Sequence, residues 1–399
     1  MLPMDIKVNL YSILKKSKQA KSTRNVRIME SQHISHKYFD QIRQMWQGAD
    51  DNYKGNYIDY FKECHGRDIN PVPTLFKHLQ DNCLYLKGLR VSFEQAAAIK
   101  KILLENAKLE ENTTPEDNPF LIKTLVIDDC DMDDKIFEQI LMGLRAQSCI
   151  RNIHYVNHNT LGPRSANILS EICRRDGQDN PLQELNLSSI KLERPADAAV
   201  PSVLIQITQI VEDTNLIRKL KLANVNLNDS FKPPPAEPGQ PPGEPTSTLQ
   251  NVIDILNQNP YITYLNVSCC SLELPDLVRI AETFPNCTKM EFLSIAGNQI
   301  LSHSNKVLKE ELVQHICDLI EGPQSPLRHL DISDIGFDTH QLRKILKALR
   351  KSTGLLSINL GHYELQEQTD MIREVLQLQE YKNKITFPSE FTSALEVKT

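Results

Sequence analysis

One apolar pattern returns along this chain and limits what it can fold into. The pattern runs apolar, two residues, apolar, one residue, apolar, two residues, a small or apolar residue, one residue, apolar. It is plain in Ile122, Leu125, Ile127, Cys130 and Met132. It recurs in Leu182, Leu185, Leu187, Ile190 and Leu192, and again in Ile217, Leu220, Leu222, Val225 and Leu227. Further copies start at Ile262, Met290, Leu327 and Leu355, with an imperfect one at Ile150 and a weaker one at Leu84, Leu86, Leu89 and Val91. Starts are separated by 28, 32, 35, 45, 28, 37 and 28 residues. Three equal spacings point to one unit, and the longer ones to the same unit with inserted loops.

Each unit changes period halfway. The motif alternates apolar and polar residues, as a half-buried strand does. The following stretch places apolar residues on one helical face, as in Ile136, Phe137, Ile140, Leu141 and Leu144. A single unit cannot bury its own apolar face. Stacked neighbours can, and each buried leucine or isoleucine contributes about 1.5–3 kcal/mol. The expected class is α/β.

These repeats resemble the leucine-rich-repeat family, in its ribonuclease-inhibitor-like class. The resemblance implies a solenoid with parallel strands on a concave face and helices on a convex face. Its bounds are residues 82–380, with about eight or nine repeats. Residues 30–81 are expected to form a helical N-terminal cap, with Tyr38, Phe39, Trp46, Tyr57, Tyr60, Phe61 and Phe76 supplying aromatics. Residues 1–29 form a basic mobile N-terminus and 381–399 a C-terminal tail. The ninth motif position often holds Asn or Cys in that family. Here it reads Cys130, His158, Ile190, Val225, Cys270, Asn298, Ile335 and Tyr363. Only Asn298 is placed to join an asparagine ladder.

Residues 228–247 contain seven prolines, which neither a strand interior nor a helix interior accepts. An extended insertion is expected there, with Pro235 and Pro238 as a P-x-x-P step. Nine cysteines without a C-x-x-C pair read as reduced thiols. No apolar signal core or membrane-spanning stretch is apparent, so a cytoplasmic location is expected. The net charge of −6 is unlike the basic footprint of a nucleic-acid binder.

No nucleotide-binding, zinc-protease or nucleophile-elbow motif is present. His154 and His158 are four apart, but in a strand and turn they need not converge. His33 and His36 lack companions that would complete a site. Asp128, Asp129, Asp131, Asp133 and Asp134 cluster without EF-hand spacing. No catalytic residue, metal or cofactor is expected.

The register names the outward-facing residues. The third motif position reads Thr124, Asn152, Glu184, Lys219, Tyr264, Phe292, His329 and Ser357. The fifth reads Val126, His154, Asn186, Lys221, Asn266, Ser294, Asp331 and Asn359. Aromatics among polar groups at exposed positions are the composition of binding hot spots. The candidate partner-binding set is therefore Glu184, Asn186, Lys219, Lys221, Tyr264, Asn266, Phe292, His329, Asp331 and Asn359. The expectation is a non-enzymatic protein-binding scaffold with protein partners, not membrane or nucleic acid. The stretch from Tyr60 to Cys64, with Pro71 and Leu75, resembles the entry helices of some ciliary and centrosomal repeat proteins. It implies a ciliary or cytoskeletal assembly. The alternative is a GTPase-activating protein of the ribonuclease-inhibitor-like class, with Arg164 as the residue to test. A nuclease inhibitor or innate-immune sensor fragment ranks third.

Overall fold

The computed structural model describes residues 59–60, 62–64, 66–72, 75–109, 114–115, 118–174, 182–193, 200–214, 217–231, 245–298, 300, 305–322, 325–352, 354–360 and 385–386. The basic N-terminus, Trp46, the histidines 33 and 36, Tyr363 and the centre of the proline segment lie outside the described residues. The chain divides into two compact units, Met1–Ile150 and Arg151–Thr399. The repeats of 82–380 therefore fall in both.

In the first unit, β1 (Cys83–Lys87) pairs in parallel with β2 (Thr124–Asp128), Leu84 opposite Leu125 and Leu86 opposite Ile127. Helices α1 (Phe93–Ala107) and α2 (Asp134–Leu144) follow them and pack on each other. Ser92 and Gln95 form a capping box at the start of α1, and Asp133 caps α2 through the Ile136 N–H. A helical stretch around residues 59–66 docks on α1 through the Glu63–Lys101 ion pair. Buried Tyr60 accepts a hydrogen bond from the Val72 N–H at 3.0 Å. The acidic cluster is spread over separate tasks. Asp133 caps a helix, Asp128 pairs with Lys87 at 2.7 Å, and Asp131 lies 3.5 Å from Arg90.

The second unit repeats strand, turn and helix. Its strands are β3 (Asn152–Val156), β4 (Glu184–Asn186), β5 (Lys219–Lys221), β6 (Tyr264–Asn266), β7 (Phe292–Ser294), β8 (His329–Asp331), β9 (Ser357–Asn359) and β10 (Ile385–Thr386). They lie in chain order in one parallel sheet. The crossovers that parallel pairing requires carry α3 (Pro163–Cys173), α4 (Val203–Thr214), α5 (Thr248–Gln258), α6 (Leu274–Ala281), α7 (Lys306–Glu321) and α8 (Thr339–Lys351). Consecutive helices pack on one another. From β3 to β9, the third motif position of each copy stands opposite the third of the next: 152, 184, 219, 264, 292, 329, 357. The fourth-position residues Ile153, Leu185, Leu220, Leu265, Leu293, Leu330 and Ile358 are all buried, and so are the sixth-position residues from Tyr155 to Leu360. This is the core between sheet and helices.

The turn after each strand is also repeated. Asp129, Asn157, Ser189, Asn224, Cys269, Gly297 and Asp334, each at the eighth motif position, have φ between 52° and 67°. Asn, Asp and Gly tolerate this left-handed conformation; Ser189 and Cys269 hold it at a cost. Pairing continues through the turns: Ser189 N donates to Ala223 O, Asn224 N to Ser268 O, Cys269 N to Ala296 O and Gly297 N to Ser333 O, each at 2.8 Å.

Asn298 works as the sequence implies. Its Oδ1 accepts from the N–H groups of Cys270 and Leu272, and its Nδ2 donates to Val267 O and Ile295 O. The copy at Ile150 gains one turn residue: Asn157 and His158 both have positive φ. Buried Asn159, one place later than the pattern expects, donates to Val156 O as Asn298 does to Ile295 O.

Two details go beyond the sequence reading. The described ends of the proline segment, Ser230–Phe231 and Thr246–Ser247, pair antiparallel with each other. Ser247 then caps α5. In the tail after residue 380, β10 pairs in parallel with β9.

A Cβ on Gly297 would collide with Cys269 Sγ, and its φ is 67°. Gly297→Ala is expected to destabilise the second unit by about 2 kcal/mol or more, read as a lowered urea midpoint. Cys269→Ala in the same chain should recover the steric part and leave the backbone part. Full recovery would contradict this geometry, since the positive φ at residue 297 is unchanged by it.

Candidate functional site

Strands in register set equivalent side chains about 4.8 Å apart, so the odd motif positions form rows across the face opposite the helices. On β6 and β7 the third positions are Tyr264 and Phe292. Their rings stack with centroids 4.0 Å apart and planes 1° apart. On β8, His329 continues the row 6.4 Å from Phe292, tilted by 38°. Its Nδ1 lies 2.7 Å from Ser357 Oγ on β9. Tyr264 and Phe292 are half-buried and His329 is exposed.

At the other end of the row Glu184 is buried, with 6% of its surface exposed. Three basic groups close on it from both neighbouring strands. Lys221 Nζ donates to Oε1 at 2.6 Å, Lys219 Nζ lies 3.3 Å from Oε2, and His154 Nε2 lies 3.2 Å from Oε1. Burial alone would raise the Glu184 carboxyl. The contacts and charges of His154 and Lys221 outweigh it and hold the group well below the usual carboxylate range. Lys221 Nζ also sits 4.8 Å from the centre of the Tyr264 ring, a cation–π contact. Burial, then the Glu184 charge, raises the Tyr264 phenol. One carboxylate thus positions the lysine that lies over the first aromatic ring.

The fifth positions have a second role. Asn186 Oδ1 accepts from Ser188 N and Oγ, Asn266 Oδ1 from Ser268 N and Oγ, and Asp331 Oδ1 from Ser333 N and Oγ, at 2.7 to 3.1 Å. These are Asx turns that steer the chain out of each strand. Asp331 Oδ2 also faces Ser294 Oγ at 3.4 Å. Asn359 lies half-buried on β9 opposite Asp331. From β4 to β8 the seventh positions are Ser188, Ala223, Ser268, Ala296 and Ser333, none larger than serine. The aromatic row therefore stands above smaller side chains towards the turn end of the strands.

The structure brings together Glu184, Lys219, Lys221, Tyr264, Phe292 and His329. Asn186, Asn266 and Asp331 share the face while also forming turns. His154 and Ser357 belong to the assembly and are absent from the candidate set. Both were legible as row positions, but their partners were not. His154 lies on β3 and His158 in the left-handed turn that follows it. Arg164 is exposed in the first turn of α3, at Pro163–Cys173, away from the strand rows.

Other chemistry is sparse. Burial pushes the Cys270 thiol up to about 12 and the Cys287 thiol to about 11, so both stay neutral and pack as small hydrophobes. Among the described residues, no group of three His, Cys, Asp or Glu is arranged to hold a metal ion. No described helix is long and apolar enough to cross a membrane. No protein-family model and no curated protein matches this sequence.

Because its folded pKa is depressed, Glu184 contributes stability that is fully present above its unfolded value of about 4.3 and is lost as pH falls through the folded value. Glu184→Gln is expected to cost about 1–3 kcal/mol at pH 7. The gap from the native chain should narrow as pH is lowered from about 5 to about 3. Urea unfolding of both proteins across that range checks it. A gap independent of pH would mean the carboxylate is not clamped.

Proposed function

We propose that this chain is a leucine-rich-repeat solenoid of the ribonuclease-inhibitor-like class, acting as a non-enzymatic scaffold that captures a protein partner on its strand face. The support for the fold is the shared register of the third positions and the left-handed eighth residue in copy after copy. A unit that cannot bury its own apolar face is stable only when stacked.

The observation that carries the function is the stacked pair Tyr264–Phe292, half-buried on the sheet face that the helices leave open. The stacked cross-strand pair stabilises the sheet by only about 0.2–1 kcal/mol, and it leaves apolar ring surface in reach of water. A partner that covers them gains apolar burial, a lysine already held over one ring, and a rim of hydrogen-bonding groups. A permanent ciliary or cytoskeletal assembly is the setting we propose, on the likeness of the segment from Tyr60 to Leu75 to entry helices of such proteins. Localisation of the tagged chain tests that placement.

A photo-crosslinking amino acid at position 292 is expected to trap a discrete protein partner in cells. The same probe at Val307, which is 74% exposed on α7, should not. Tyr264→Ser should abolish the adduct at 292 and leave thermal unfolding within about 2–4 °C of the native chain. Identical adducts at both positions, or an adduct indifferent to Tyr264, would contradict the assignment. Lys221→Glu is the wrong variant for this purpose, since it would set a second carboxylate against buried Glu184.

A further inference from the structure

The aromatic row is electrically asymmetric. On its β5 side two lysines face a single carboxylate, Glu184, so one positive charge is left over, and 49% of the Lys219 side chain is exposed. On its β8 side stands Asp331. Its oxygens take hydrogen bonds from Ser333 and Ser294, and none of the ion pairs among the described residues neutralises it. Lys219 and Asp331 are three strand spacings apart and offset by two residues along the strand, about 16 Å in all. That exceeds the screening length of about 8 Å at physiological salt, so each end attracts its counter-charge independently.

We propose that the docking face recognises an extended peptide segment of a partner with the order acidic, any, aromatic or aliphatic, any, basic. Alternate side chains of an extended chain share one face and recur about every 6.7 Å. The first and fifth residues are then about 13 Å apart, with the third midway. Laid obliquely across the strands, the acidic residue meets Lys219, the apolar residue meets the Tyr264–Phe292 stack, and the basic residue reaches Asp331, one row beyond His329. Beside the rings stand the smaller Asn266 and Ser294, and beyond them Ser268, Ala296 and Ser333, which leaves room for the peptide backbone. This inference rests on the strand face being the docking face. It adds which sequence the face selects.

The test is selection of a displayed library of random 12-residue peptides on the purified full-length chain. Parallel selections use Tyr264→Ser with Phe292→Ser, Asp331→Asn and Lys219→Gln, and urea unfolding verifies each variant. Asp331→Asn keeps the turn acceptor and removes only the charge. Peptides enriched on the native chain are expected to carry the acidic–apolar–basic order in either chain direction, and to be lost on the double aromatic variant. The enrichment of basic residues should fall about fivefold on Asp331→Asn, and that of acidic residues by a similar factor on Lys219→Gln. Peptides that need the aromatic pair but lack the charge order, or keep it on the charge variants, overturn the inference and leave the docking face standing. If no enriched peptide depends on the aromatic pair, the docking face falls and the inference with it.

Discussion

Parallel pairing in register is the constraint on which the second unit depends. Each strand is only two to five residues long, and so short a ladder would not hold two repeats together. The alignment persists because the turn after the strand also pairs with its neighbour, through a left-handed residue at a fixed place. The backbone then delivers the next helix at the same angle, and the fourth and sixth positions of every copy meet the same kind of apolar neighbour. Insertions such as the proline segment are tolerated because they leave after the turn and return before the helix, clamped at Ser230–Phe231 and Thr246–Ser247.

The same constraint makes the candidate site. Side chains at one motif position become a row simply because the strands do not slip. Tyr264 and Phe292 belong to different copies, 28 residues apart, yet stack with nearly coplanar rings because their strands are aligned. Glu184 draws Lys219 and Lys221 from the next strand and His154 from the previous one for the same reason. A slip of one residue would turn all of these into the core and the leucines out of it.

Much of this was legible from spacing alone. A period of two with leucines at fixed intervals states which residues face the helices and which do not, and the rows through positions 184, 219, 264, 292, 329 and 357 follow. The use of those residues was harder to read. Asn186, Asn266 and Asp331 look like free polar groups in a strand. The serine two places on was the signal that each forms a turn. Lys219 and Lys221 look like an open cationic patch until Glu184 is seen to be buried between them and His154. The extra residue in the copy at Ile150 moves its asparagine from position 158 to 159, which a rigid template misses. Ile385–Thr386 carries no leucine pattern, so its parallel pairing with β9 left no periodic trace.

Engineered cysteine pairs on the exposed face measure the register directly. Cysteines on paired strands at matched positions have Cα atoms about 4.8 Å apart, within the range of roughly 4.4–6.8 Å that a disulfide spans. A two-residue offset raises the separation to about 8 Å. In a chain with Cys269 replaced by serine, His329→Cys with Ser357→Cys should form a disulfide under mild oxidation, and His329→Cys with Asn359→Cys should not. Bonding of the second pair in preference to the first would show that the strands are not aligned as described, and the aromatic row would lose its basis.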